Sequence, residues 1–150
     1  MLIGVPKEIK SNEHRIGCTP AGVRELVHHG HQVMVQRGGA LTIGFEDGHY
    51  EQAGAEIVET PEEIFRRAEM IIKVKEPQPG ECAMLRPGQV LFTYLHLAPD
   101  PEQARRLIDS GATCIAYETV TSESHGLPLL APMSEVAGRM AIQAGAYNLE

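Results

Sequence analysis

The sequence has few cysteines, no long apolar run and no concentration of basic charge. Its three cysteines, Cys18, Cys82 and Cys114, are far apart and form no CxxC pair, which argues against a disulfide framework or a zinc site and is typical of reduced thiols. No apolar run approaches the roughly 18 residues of a membrane span, and the N-terminus lacks the pattern of a signal peptide. We therefore expect a cytoplasmic protein with no membrane association.

The charge balance is acidic. Thirteen Lys and Arg residues against twenty Asp and Glu residues give a net charge of -7, and the basic residues are scattered. This distribution lacks the electrostatic footprint of a nucleic-acid-binding protein, so we expect no nucleic-acid partner. A length of 150 residues, with 43% hydrophobic and 22% charged residues, is ordinary for one globular domain.

Common catalytic motifs are also missing. The absence of GxSxG, P-loop and HExxH sequences argues against the commonest hydrolases and nucleoside triphosphatases. The glycine-rich stretch GGALTIG (38–44) does not fit GxGxxG and precedes no helix start, so it predicts a loop. In HHGH (28–31), His28 and His29 fall in the last turn of a predicted helix, where positively polarised groups are favoured, so we expect no metal site.

Short apolar segments alternate with amphipathic ones along the chain. Helix starts are indicated at Thr19, Thr60 and Asp100, each followed by proline, and Gly111 is a helix stop. This order predicts a doubly wound α/β fold, Rossmann-like or flavodoxin-like, whose mainly parallel sheet carries helices on both faces. The predicted strands span residues 2–5, 31–36, 55–59, 70–74, 89–95 and 112–118.

The end of the chain differs in character from the rest. Residues 120–132 are polar and then punctuated by Gly and Pro, which predicts a linker. A helix rich in small residues begins at Pro132 and has no stop signal before Glu150. We expect an α/β domain over residues 1–131 and the start of a long connecting helix over 132–150, with a frayed terminal helix as the alternative.

Charged side chains follow several predicted strands, where doubly wound sheets bind their ligands. Arg15 lies in a polar loop just before the helix start at Thr19, where a guanidinium and free backbone N–H groups suit a carboxylate. Lys73 and Lys75 share one side of the fourth strand, and Lys75 is last before a Glu-Pro break. We expect Lys73 to be a snorkelling residue at the sheet edge, and Lys75 is equally consistent with that role and with ligand binding. Taken alone, Arg15 is more simply interpreted as a solvated loop residue.

The fifth strand leads to His96. Histidine is the side chain whose unperturbed charge change lies near neutral pH, so an imidazole there can exchange protons with a substrate. Taken alone, a structural histidine is the simpler interpretation. Because Arg15, Lys75 and His96 each follow a different parallel strand, we expect them to converge at one end of the sheet. The three groups match a small oxo acid, with one for its carboxylate, one for its carbonyl and one to move protons.

Several ordered motifs together resemble the N-terminal part of alanine dehydrogenases over essentially the whole chain: GVPKEIK with NE.R, TPAGV, IIKVKEP, LFTYLHLA, IAYETV and LPLLAPMSEVAGRMA. The resemblance implies an NAD-dependent oxidoreductase that acts on a CH–NH2 group, converting L-alanine reversibly to pyruvate and ammonia. It also implies a two-domain subunit, with the substrate held by the N-terminal domain, in a homo-oligomer that is often a hexamer.

Carried over residue by residue, the resemblance implies that Arg15 and Lys75 bind the substrate, that His96 is the acid/base and that Ser134 lies near the bound nucleotide. The first three are the residues that strand positions had already selected, whereas Ser134 rests on the resemblance alone. GxGxxG, an acidic residue for the ribose and the family's catalytic aspartate are missing. We therefore expect the NAD-binding domain to lie outside this chain and the 150 residues alone to be inactive.

Two other interpretations stay open. The nucleotide-binding subunit of proton-translocating NAD(P) transhydrogenase shares the NE.R and TP motifs, but its members typically lack the lysine of KVKEP and the histidine of YLHLA. Lys75 and His96 therefore favour the dehydrogenase. The second alternative is a non-catalytic module that binds pyruvate weakly or only assembles with partners.

Overall fold

The structure is a computed structural model that describes residues 1–123 and 126–149. Part of the predicted linker at 120–132 and the last residue of the predicted C-terminal helix therefore lie outside the described residues. The chain divides into two compact units, Met1–Ile115 and Ala116–Glu150.

In the described part of the chain, six strands alternate with helices, as the sequence predicts. The strands are β1 (Leu2–Val5), β2 (Gln32–Gln36), β3 (Glu56–Val58), β4 (Met70–Ile72), β5 (Val90–Thr93) and β6 (Thr113–Ala116). The α-helices are α1 (Pro20–His28), α2 (Asp47–Gln52), α3 (Pro61–Arg67), α4 (Pro79–Cys82), α5 (Pro101–Ser110) and α6 (Ala131–Asn148).

The strands form one sheet in the order β3-β2-β1-β4-β5-β6. The pairs β1–β2, β1–β4, β2–β3 and β4–β5 are parallel. Helices α1 and α2 contact each other, and so do α4 and α5, as expected when right-handed crossovers place the two sets on opposite faces. The predicted doubly wound α/β fold is confirmed. Its strand order reverses between β1 and β4, which marks the carboxyl ends of these strands as the ligand-binding crevice.

The predicted helix starts and stop are confirmed. The Thr19 hydroxyl accepts a hydrogen bond from the Gly22 N–H, and the Asp100 carboxylate accepts one from the Gln103 N–H at 3.0 Å. Thr60 caps α3 in the same way. Gly111, with φ +67°, ends α5 in the left-handed conformation that favours glycine.

Several predictions about local structure were wrong. The strands predicted to end at residues 95 and 118 end at Thr93 and Ala116, and Tyr117–Thr119 form a 3₁₀ turn. GGALTIG is not only a loop, because Leu41–Ile43 form a 3₁₀ turn and α2 begins shortly afterwards. The start of α2 is a capping box in which the Glu46 N–H donates to His49 Nδ1, an unusual pair that carries no Ser, Thr, Asp or Asn signal. Strand β4 ends at Ile72 rather than at residue 74, because the Val74 N–H donates to the Glu8 carboxylate and regular pairing continues only on the side of β5.

The core lies between the sheet and its helices. Its largest fully buried apolar side chains come from strands and helices alike and include Tyr50, Phe65, Ile3, Met34, Ile64, Ile71 and Leu91. Gly4 in β1 allows α3 to approach the sheet, since a Cβ at this position would meet Ile64 and would lie 2.9 Å from the Ala68 Cβ. The central strand therefore requires glycine for close packing.

The second unit contains a 3₁₀ turn at Tyr117–Thr119 and the 18-residue helix α6. The predicted C-terminal helix is confirmed and begins one residue before Pro132. Among the described residues, the structure contains no helix that is both long and apolar enough to cross a membrane.

Replacing Gly4 by Ala should lower the free energy of unfolding by about 1–3 kcal/mol, because the new methyl group overpacks the contact between β1 and α3. Equilibrium urea unfolding measures the change. Gly48→Ala is the matched control, since a Cβ there meets nothing within 4 Å and alanine favours the helix α2. Equal stability of the two variants would contradict the packing argument.

Candidate functional site

Arg15 belongs to the loop between β1 and α1, which packs on the carboxyl end of β4. A Cβ at Gly17 would lie 2.5 Å from the Ile72 carbonyl oxygen and 3.0 Å from the Lys73 Cα. These are backbone atoms that cannot move aside, so only glycine allows this approach. Ile16, the next residue after Arg15, is buried in the core and anchors the loop there. The loop thus places Arg15 close to the end of β4.

The Arg15 guanidinium is oriented by Glu13. Its Nε donates to Glu13 Oε1 at 2.9 Å, and its Nη2 donates to Oε2 at 2.6 Å. These bonds from the Arg15 side chain lower the pKa of the Glu13 carboxyl to about 2, against the opposing effect of burial. The same hydrogen bonds raise the pKa of Arg15. Both charges persist at neutral pH, in a cavity of about 330 Å³ lined by both residues and by Gly39 and Thr42.

Lys73 is fully buried, which contradicts the expectation of a snorkelling residue at the sheet edge. Strand β4 is central in the sheet, so no side chain at this position can reach solvent along an edge. The ammonium lies between two buried carboxylates, 3.1 Å from Glu8 Oε2 and 2.7 Å from Glu81 Oε1. We call Glu8, Lys73 and Glu81 the buried ion cluster. A buried ammonium requires such partners because desolvation of an unpaired charge is very unfavourable.

The backbone of Lys75 is held from two sides. Glu8 Oε1 accepts the N–H of Val74 at 2.6 Å and that of Lys75 at 3.4 Å. On the side of β5, the Thr93 hydroxyl donates to the Lys75 carbonyl oxygen at 2.9 Å. One residue further on, Glu76 forms an ion pair with Lys10. The position of Lys75 is therefore set by the β1–α1 loop and by β5 together.

The side chain of Lys75 is half-buried and adds positive charge to this edge of the sheet. Its charge helps to lower the pKa of both Glu13 and Glu76. Within residues 1–123 and 126–149, no carboxylate oxygen lies within 4.0 Å of Lys75 Nζ. Unlike Lys73, this ammonium is not neutralised by a close ion pair in the described part of the chain.

His96 follows the end of β5, directly beside the end of β4. The pairing of these strands continues past β4, because the Tyr94 N–H donates to the Val74 carbonyl oxygen at 3.3 Å. His96 then adopts φ +48°, a left-handed conformation that costs a non-glycine residue about 1 kcal/mol and is often found at functional sites. The centre of its exposed ring lies 6.3 Å from that of the Tyr94 ring. The residue before His96 is held by α5, because the Gln103 side chain donates to the Leu95 carbonyl oxygen at 2.7 Å.

The described contacts connect the ends of β1, β4 and β5. The loop that carries Arg15 packs against the end of β4. The Lys75 carbonyl oxygen accepts a hydrogen bond from Thr93 of β5, and His96 closely follows Tyr94, whose N–H donates to Val74. Two cations and an imidazole are the kinds of group that bind a small oxo acid and exchange protons with it. Ser134 lies on α6 of the second unit, where its N–H donates to the Leu130 carbonyl oxygen.

Sequence reasoning missed Glu8, Glu13 and Gly17. One signal was available for Glu8, because a lysine inside an apolar strand needs a buried carboxylate, and Glu8 closely follows β1. Gly17 carries no local turn pattern that distinguishes it from other loop glycines. Cys18, next in the chain, is not a candidate nucleophile, since burial raises the pKa of its thiol to about 11.

The Glu13–Arg15 pair should make stability depend on acidity. Because the folded pKa of Glu13 is about 2, below its ordinary value of 4.5, the pair stabilises the fold above about pH 4.5 and ceases to do so as the pH falls toward 2. Glu13→Gln should therefore lower the free energy of unfolding by about 1 kcal/mol or less at pH 6, with the difference vanishing near pH 2. Urea unfolding across this range tests it, with the exposed Glu62→Gln as control. Parallel curves for the two variants would contradict it.

Comparison with known proteins gives the family. The description Alanine dehydrogenase/PNT, N-terminal domain, matches residues 4–137. The chain is 59% identical over all of its 150 residues to alanine dehydrogenase of Bacillus subtilis (strain 168), and 56% identical over 150 residues to that of Methanococcus maripaludis. It spans 39% and 40% of the lengths of these two relatives.

Solved structures agree with the sequence comparison. An L-alanine dehydrogenase matches with a TM-score of 0.91 at 48% identity, over 98% of this chain and 40% of that one. A transhydrogenase from Sinorhizobium meliloti matches with a TM-score of 0.74 at 27% identity, over 79% of this chain and 35% of that one. With a family match over most of its length, the chain belongs to the Alanine dehydrogenase/PNT N-terminal domain family.

Proposed function

We propose that this chain is the substrate-binding domain of an NAD-dependent alanine dehydrogenase, which converts L-alanine reversibly to pyruvate and ammonia. The observation that carries the proposal is the position of Arg15, Lys75 and His96 after three neighbouring strands at the switch point of the sheet. Identity of 59% along the whole chain to an alanine dehydrogenase, against 27% along 79% of it to a transhydrogenase, supports this choice over the transhydrogenase alternative.

In the proposed site, Arg15 and Lys75 hold the substrate carboxylate. The guanidinium donates in a planar fork that matches a carboxylate, and Glu13 restricts its rotation. The Lys75 ammonium has no close counter-charge among the described residues, so it can donate to the substrate carboxylate and to the carbonyl oxygen of pyruvate. These contacts fix the carbon atom at which the reaction occurs.

His96 is the proposed acid/base. In the deamination direction, water adds to the carbon of the imine and releases a proton, which the imidazole accepts. The imidazolium then gives this proton to the nitrogen, and the C–N bond breaks. As ammonia leaves, the new hydroxyl group loses its proton to the neutral imidazole and becomes the carbonyl of pyruvate. In the amination direction the same steps run in reverse. The exposed ring and the left-handed turn at His96 support this role, because they direct the residue out of the strand at the crevice.

The described residues of this chain do not fit a dinucleotide. Rossmann domains that bind dinucleotides have a glycine-rich turn between the first strand and helix, whereas residues 6–19 here form a charged loop. NAD, which takes the hydride from alanine when bound, is therefore held mainly by parts of the protein outside this chain, with Ser134 of α6 as the contribution that the family resemblance assigns. We also propose that the protein is cytoplasmic and assembles into a homo-oligomer, as the family resemblance implies, since many members of the family are hexamers.

Replacing His96 by Ala in the full-length enzyme should lower the kcat of pyruvate amination by about 100-fold or more, because general acid–base catalysis contributes on that scale. Oxidation of NADH in the presence of pyruvate and ammonium measures it. His29→Ala is the control, since this exposed histidine lies at the end of α1, away from the carboxyl ends of the strands. A rate for His96→Ala within a few-fold of normal would remove the residue from the acid/base role.

Replacing Arg15 by Lys should raise the KM for pyruvate about 10-fold to 100-fold, because an ammonium keeps the charge but loses the planar fork. Arg24→Lys, on the exposed surface of α1, should leave the KM unchanged and serves as the control. An unaltered KM in the Arg15 variant would exclude Arg15 from the binding site.

A further inference from the structure

The two buried glutamates, Glu8 and Glu81, make the same kinds of hydrogen bond around the Lys73 ammonium. Glu8 gives Oε2 to the ammonium and Oε1 to backbone N–H groups, while Glu81 gives Oε1 to the ammonium and Oε2 to a backbone N–H group. Both side chains are almost completely buried, with 2% and 3% of their surface exposed. In chemistry and burial the two carboxylates are therefore a matched pair.

They differ in the backbone that they hold. Glu81 accepts the Gln78 N–H at 2.8 Å, which closes the capping box of α4. Glu8 accepts the N–H groups of Val74 and Lys75, at the point where β4 ends and the Lys75 side chain leaves the sheet. Only the Glu8 contact reaches a residue of the proposed substrate site.

We infer that Glu8 is a positioning residue for substrate binding, which fixes the backbone of Lys75 so that its ammonium meets the oxo acid. Glu8 also acts on the other side of the site, because its charge contributes to the raised pKa of Arg15. The carboxylate can hold the Val74 and Lys75 amides only while its second oxygen is satisfied, and Lys73 provides that partner. The inference rests on the proposed function, since it assigns a role within that site.

The test compares Glu8→Gln with Glu81→Gln in the full-length enzyme. A glutamine has one acceptor and one donor at its end, so each variant must give up either the ammonium or the backbone N–H. Because a charged donor outcompetes a neutral one, the remaining oxygen should stay with the Lys73 ammonium in both variants, and the backbone N–H loses its acceptor. Only in Glu8→Gln do the released N–H groups include that of Lys75. The KM for pyruvate should rise about tenfold or more in Glu8→Gln and less than about threefold in Glu81→Gln, because small displacements of a binding group have large effects. The KM for NADH should change equally in both.

If Glu8→Gln fails to fold, the comparison moves to an uncharged cluster, which proteins often tolerate. In a background with Lys73→Met and Glu81→Gln, the variants E8Q and E8M differ in whether an acceptor for the two amides is present. The E8M form should have a KM for pyruvate about tenfold above that of the E8Q form.

The outcomes separate this inference from the proposed function. An unsubstituted full-length enzyme that does not aminate pyruvate would refute the proposed function and this inference with it. An active enzyme in which the glutamate variants raise the KM for pyruvate by the same factor would leave the proposed function standing and would overturn the positioning role of Glu8. Equal KM values for the E8Q and E8M forms in the uncharged background would do the same.

Discussion

The carboxyl end of the sheet depends on one buried ammonium group, that of Lys73. An unpaired charge inside a protein is strongly unfavourable, so the fold must bring carboxylates to it. Glu8 comes from the loop after β1 and Glu81 from the short helix α4, two segments that are far apart in the sequence. The ammonium therefore ties the segments after β1 and β4 to a common point. This point lies where the strand order reverses, so the same contact that stabilises the core also shapes the crevice.

The positions of the candidate site residues follow from that constraint. Three contacts hold the β1–α1 loop in place. Glu8 binds the Lys73 ammonium, and Lys10 forms an ion pair with Glu76. Gly17 packs directly against the backbone at the end of β4. Arg15 lies within this fastened stretch, so its backbone cannot move far from β4. Several separate contacts thus hold the loop against β4, which is the kind of support that precise placement of a binding side chain requires.

How much of this could be predicted depends on whether the cause is local. The helix starts at Thr19 and Asp100 and the stop at Gly111 rest on contacts within a few residues, and the sequence was enough to find them. The prediction for Lys73 was wrong because a two-residue period gives the face of a strand but not its place in the sheet. Strand order depends on distant pairings, as does the choice of Glu8 among twenty acidic residues. That the carboxyl ends of the strands lie together could be predicted, because it follows from a parallel sheet and the alternation of strands and helices indicates such a sheet.

The β1–α1 connection explains how one fold can serve different ligands. In a dinucleotide-binding Rossmann domain, this connection is short and glycine-rich so that a pyrophosphate can reach the helix N-terminus. Here the N-terminus of α1 is capped by the Thr19 side chain, and the preceding residue is fixed by a hydrogen bond from the Tyr50 hydroxyl to the Cys18 carbonyl oxygen. In this chain, the charged loop of residues 6–19 replaces that glycine-rich turn and carries the Arg15 guanidinium. In the function that we propose, the guanidinium held by Glu13 binds a small planar carboxylate, so the switch point keeps a binding role while its ligand changes.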